Sequence, residues 1–255
     1  MTKVITKGLA NYPTWYVMDS DGYEYLSSNL EFLLDEYVQL FGEEIVNKTP
    51  CIVFNEPSST CPMFIHSQPL LIRLSQSGLS YWAQTIFQLS HELSHYVMYQ
   101  ARNGIDMSLS WFEEIICEAM SLFALHYASA NWNRCKLSNM NPGFHKSIQE
   151  YLKNQLASAA TDGLRQCTSV AELTAYEKNK MGQSDRAGHT NERNAVYYAI
   201  LHNPSEIACV LNYYRYIIPE KNTIDFDKWY SDMPYTLVHQ LESIQPTISE
   251  ETCDA

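Results

Sequence analysis

The chain has 255 residues, enough for one sizeable domain or two closely packed lobes. Its formal charge of −12 and the lack of any basic run argue against a nucleic-acid partner. No apolar run reaches the length of a membrane span, so no membrane partner is expected.

The first 22 residues include Lys3, Lys7, Asp19 and Asp21 and contain no apolar signal segment. A cytoplasmic protein is therefore expected, with secretion of a processed form as the alternative. Seven cysteines are scattered without zinc-ribbon or thioredoxin spacing: Cys51, Cys61, Cys117, Cys135, Cys167, Cys209 and Cys253. They read as reduced thiols, with a Cys51–Cys61 disulfide as the alternative.

In chain order, 14–18 (TWYVM) and 51–54 are β-branched and aromatic and read as strands. Between them, 24–41 places leucines and aromatics at helical spacing after Asp21-Gly22. A loop over 58–62 precedes two further strands, 63–66 and 70–74, paired around Ser67-Gln68-Pro69. A serine-rich turn over 75–80 then leads into a helix over 81–100.

That helix carries His91-Glu92-Leu93-Ser94-His95. Trp82, Ile86, Leu89, Leu93 and Val97 form its apolar face, and the histidines lie opposite with Gln84 and Gln88. At i and i+4 the two imidazoles point the same way and can reach one Zn²⁺ at about 2.0–2.1 Å. Glu92 lies about 100° around the helix. It is placed beside such a metal, where it could take a proton from water.

The segment 111–130 (WFEEIICEAMSLFALHYASA) reads as a second helix, apolar nearly all round and so buried. Glu114 and Glu118 share a narrow stripe on it. Two like charges at i,i+4 in apolar surroundings are unfavourable. A divalent cation held by His91, His95 and Glu114 would relieve that. Glu118 is then expected to hydrogen-bond the second ring nitrogen of a ligand histidine. Glu113 is the alternative ligand if the helix is rotated. A solvated edge, or pairing of Glu114 and Glu118 with cations elsewhere, is the bland alternative.

The C-terminal half reads as helical over 142–157, 170–178, 196–202 and 204–218, with a polar loop over 181–194 and an acidic tail after Pro246. The coarse expectation is an α+β fold in a single domain, 1–255. It has an upper lobe (about 1–130) with a small mixed sheet and the motif helix, and a mainly helical lower lobe (about 131–250).

His-Glu-x-x-His, with Trp111 and Glu114 following and eighteen residues between His95 and Glu114, resembles the gluzincins. These are the thermolysin-like and aminopeptidase-like zinc metallopeptidases. The resemblance covers about 80–130. It implies a zincin-like fold, a Zn²⁺ cofactor, a peptide or protein substrate, and Glu92 as the base that activates water. The Gly-x-Met-Glu-Asn segment of the aminopeptidase branch is missing, so internal cleavage is expected. The thermolysin branch has Asn before its ligand Glu, where this chain has Glu113.

The resemblance further implies an edge strand that pairs with substrate, expected here at Leu70, Leu71 and Ile72 of the 70–74 strand. It also implies a Tyr or His donor to the developing oxyanion. Tyr197 and His189 are the leading candidates, with Tyr198 and His202 behind them. The reading that competes with an enzyme is a helical interaction protein that holds zinc structurally or has lost it.

Overall fold

The structure, a computed structural model, describes residues 5–179 and 186–248. Cys253, the end of the acidic tail and the first part of the loop expected over 181–194 lie outside the described residues. The chain is mixed α and β, with helices predominating and a small mixed sheet.

It divides into two compact units. One comprises Met1–Ala101 and Met120–Leu156; the other comprises Arg102–Ala119 and Ala157–Ala255.

The first unit is built on five strands, β1 (Thr6–Gly8), β2 (Trp15–Met18), β3 (Cys51–Asn55), β4 (Met63–Ile65) and β5 (Leu70–Leu74). Their order is β1-β2-β3-β5-β4, with β2, β3 and β5 parallel and the two edge strands antiparallel. Period-two alternation buries Trp15, Val17, Cys51, Val53, Leu70, Ile72 and Leu74.

Helix α1 (Tyr23–Phe41) buries Leu26, Leu30, Leu33, Leu34 and Tyr37 at helical spacing. It starts at Gly22, whose φ of 81° and 2.9 Å approach to Leu79 from a would-be Cβ exclude any side chain. A short α2 (Glu43–Val46) follows.

The motif helix is α3 (Trp82–Arg102). The Tyr37 hydroxyl bolts α1 to it, donating to Ser90 O at 2.7 Å beside Ser94 Oγ at 2.8 Å. Trp15 of β2 packs on Tyr96 at 4.8 Å between ring centroids, which seats α3 on the sheet. α3 stops where Asn103 (φ 50°) and Gly104 (φ 85°) turn left-handed.

α4 (Ser110–Asn131) is one unbroken helix whose residues contribute to both units. Short 3-10 turns and α5 (His145–Leu156) complete the first unit.

The second unit gathers the front of α4 with α6 (Val170–Asn179), α7 (Thr190–His202), β6 (Ile217–Ile218), β7 (Thr223–Ile224), α8 (Phe226–Asp232) and α9 (Thr236–Glu242). Phe112 lies between Tyr213 (5.0 Å) and Trp229 (6.1 Å). Trp111 Nε1 donates to Asn222 O at 3.0 Å, and Glu177 accepts the Trp111 backbone N–H at the helix start.

Two expectations differ here. The polar stretch over 186–194 is not a loop: a 3-10 turn spans Arg186–His189 and α7 begins at Thr190. Glu192 and Arg193 are buried there, Glu192 paired with an exposed Arg165 and Arg193 lying near Glu118. The segment Pro204–Tyr216 forms 3-10 turns rather than an α-helix. Ile207, Val210, Tyr213 and Tyr216 recur every third residue, which stacks them in one buried column.

Candidate metal centre

His91 and His95 sit one turn apart on α3, with ring centroids 5.0 Å apart and ring planes at 70°. The helix is more buried than its pattern implied. Between Thr85 and Gln100 only His95 and Tyr99 are not buried. Gln88, expected on the polar face, is buried and exchanges two hydrogen bonds with the Ser75 backbone at 3.0 and 3.2 Å, tying the end of β5 to α3. Solvent therefore reaches α3 along the stripe that carries the histidines. Glu92, next to His91 in the chain, is buried at 2 % exposure. A carboxylate there is costly unless it is hydrogen-bonded or paired.

On α4 the complementary pattern holds. From Trp111 to Leu125 every residue is buried except Glu114. One ligand atom from each of His91, His95 and Glu114 lies within 4.8 Å of the other two. Donors about 2.1 Å from a tetrahedral ion stand about 3.4 Å apart. The cluster thus fits a small divalent cation after modest side-chain adjustment. Two imidazoles and a carboxylate are a donor set suited to zinc.

Glu113, the alternative ligand, does something else. Its Oε1 accepts hydrogen bonds from Arg102 Nη1 and from the Tyr213 hydroxyl. Tyr213 Oη in turn accepts from Arg102 Nη1 at 3.2 Å and from the Leu109 N–H at 3.4 Å. Burial, then the Glu113 charge, hold the Tyr213 phenol above its ordinary value, so it remains a donor. Burial opposes the Arg102 charge, but Glu113 and Tyr213 outweigh it and raise the guanidinium pKa.

Glu118 faces α7. Its Oε2 is 3.3 Å from His189 Nε2 and 3.7 Å from Arg193 Nη1. His189 is fully buried, with the Tyr176 hydroxyl 3.4 Å from Nδ1. Tyr197 is buried one turn beyond Arg193 on the same side of α7, and burial raises its phenol pKa. Tyr198 and His202 share the other side and line an open pocket of about 360 Å³ with His239. The four oxyanion candidates thus separate: His189 and Tyr197 lie on the side that meets Glu118, Tyr198 and His202 on the side facing the pocket.

The substrate strand expected at Leu70, Leu71 and Ile72 needs correction. β5 is hydrogen-bonded to β3 on one side and β4 on the other, with Leu71 opposite both Ile52 and Ile65. Its backbone groups are already used, so it cannot add a strand. The sheet edge next to β5 belongs to β4. There Phe64 and His66 pack on Tyr99 of α3 at 5.6 and 4.4 Å, one turn beyond His95.

The pattern did not reveal Arg102, Tyr213 and Arg193. One signal was present: Arg102 is the first charge after Glu92 at the end of a buried helix, and such a charge needs a partner. Cys51, Cys61, Cys117, Cys135, Cys167 and Cys209 are free thiols, so no Cys51–Cys61 disulfide forms. Among the described residues no helix is long and apolar enough to cross a membrane. No family model matches the chain, and neither a curated protein nor a solved structure matches it.

Proposed function

We propose that this chain is a zinc-dependent endopeptidase of gluzincin type with a zincin-like fold. The observation that carries the reading is the convergence of His91, His95 and Glu114 within 4.8 Å, with a buried Glu92 next to His91 in the chain. These three residues would hold the zinc. When bound, zinc supplies a Lewis acid that polarises a carbonyl and acidifies water.

The chain's own residues do the rest. Glu92 takes a proton from the attacking water onto its carboxylate and delivers it to the nitrogen of the departing amine. Its burial keeps bulk water from competing for that proton. Tyr197 or His189 donates a hydrogen bond to the carbonyl oxygen as it gains charge. Glu118, backed by Arg193, holds His189 in place. An extended peptide pairs with the open edge of β4, which leads towards α3 through Phe64 and Tyr99.

Elemental analysis of the purified chain and of Glu114→Ala tests the metal. About one zinc per wild-type chain, largely lost in the variant, is expected. A wild-type chain that neither retains zinc nor takes it up on titration overturns the reading. So does a zinc-loaded chain that cleaves nothing in a mixed peptide library.

A further inference from the structure

We infer that Arg102, Glu113 and Tyr213 form a positioning cluster that sets the roll of α4 and thereby aims Glu114 at the two histidines. The inference rests on the metal reading above and assigns a task to residues which that reading leaves unused.

The cluster joins the last residue of α3 to the first turn of α4. Arg102 ends the helix that carries His91 and His95, and Glu113 immediately precedes Glu114. The link between the helices, 103–109, is irregular, with left-handed Asn103 and Gly104 and an exposed Ile105. Such a link does not by itself fix how α4 is rotated. Tyr213 does so at two points, accepting the Leu109 N–H and donating to Glu113. Glu177 adds a third by accepting the Trp111 N–H. The start of α4 is thus held at Leu109, Trp111 and Glu113.

Neighbouring residues on a helix are about 100° apart. Holding Glu113 against Arg102 therefore fixes the direction in which Glu114 leaves the helix.

Stability alone is a poor reason for the cluster. Arg102 and Glu113 are nine-tenths buried and Tyr213 completely so. A buried ion pair of this kind often does no better for stability than apolar residues of the same volume. Its strength lies in specifying one arrangement, which a metal ligand requires.

Zinc affinity, measured by competition with a chromophoric chelator, separates the two roles. The full-length wild type is compared with Glu113→Gln, Tyr213→Phe and the control Leu237→Ala. Leu237 is fully buried in the same unit, where its backbone N–H donates to Glu206. Apo-protein Tm is recorded for each. Glu113→Gln and Tyr213→Phe are expected to bind zinc about 10–100-fold more weakly. Leu237→Ala is expected to lower Tm with zinc affinity unchanged.

Folded Glu113→Gln and Tyr213→Phe chains that bind zinc as tightly as the wild type overturn the inference and leave the metal site standing. An equal loss of affinity in Leu237→Ala also overturns it. A wild type that binds no zinc overturns the site itself. If Glu113→Gln fails to fold, Tyr213→Phe decides, because it removes one hydroxyl and keeps the ring.

Discussion

Glu92 occupies a position where an ionised side chain has little access to water, next in the chain to a histidine that shares a helix face with His95. Glutamine there would keep the shape and lose the ability to accept a proton. On the proposed peptidase reading, Glu92→Gln is therefore expected to bind zinc as the wild type does while kcat for peptide cleavage falls by about 10²–10⁴-fold. Equal turnover in the variant would remove Glu92 from the chemistry. The convergence of His91, His95 and Glu114 was legible because helical spacing is written directly in the sequence. The partners of Glu113 and Glu118 were not. Tyr213 and Arg193 come from distant segments, and eighteen tyrosines offer no pattern that singles one out. Arg193 was hidden differently, inside a stretch whose polarity suggested solvent when Glu192 and Arg193 are in fact buried.

At the scale of elements, long apolar periodicities read correctly, as did strands β2 to β5 and helix α6, whereas segments that are polar or too short to show a period did not. α1, α3 and α4 each carry an apolar pattern several turns long, and their observed ends fall within two residues of those expected. β1 (TKG) is three residues without apolar alternation, and α8 and α9 span seven residues each, too short to display a period. The 3-10 run over Pro204–Tyr216 did display one, a spacing of three, which resembles helical spacing over so short a stretch. The strand pair β4–β5 was expected, but which of the two lies at the edge depends on the parallel pairing of β3 with β5, a long-range choice. Since α3 is buried on most sides, its packing should be unforgiving. Leu89 is fully buried, and Leu89→Ala should destabilise the fold by about 2–5 kcal/mol. Urea unfolding followed by circular dichroism measures this, and a change below about 1 kcal/mol would mean that the helix face is loosely packed.

For the molecule as a whole, buried ionisable groups set an alkaline limit. Burial pushes the Cys135 thiol to about 11 and the Cys209 thiol to about 12, from an ordinary 9.0. A folded pKa above the unfolded one means that the native state holds its proton more tightly. The resulting stability is complete below about pH 9 and is lost as pH rises towards 11–12. The urea midpoint should accordingly decline across that window. Cys135→Ser and Cys209→Ser together should flatten the decline, since a serine hydroxyl does not ionise there. A midpoint unchanged through pH 11 would show that these thiols do not report on the native state. The path of the chain has a consequence for its synthesis. The segment Arg102–Ala119 belongs with residues from 157 onward, although 120–156 belongs with the preceding residues. As the polypeptide leaves the ribosome, Trp111 and Phe112 emerge long before Asn222 and Trp229 exist to cover them. A nascent or truncated chain would carry those two aromatics uncovered, a surface that chaperones hold and that aggregates when they do not.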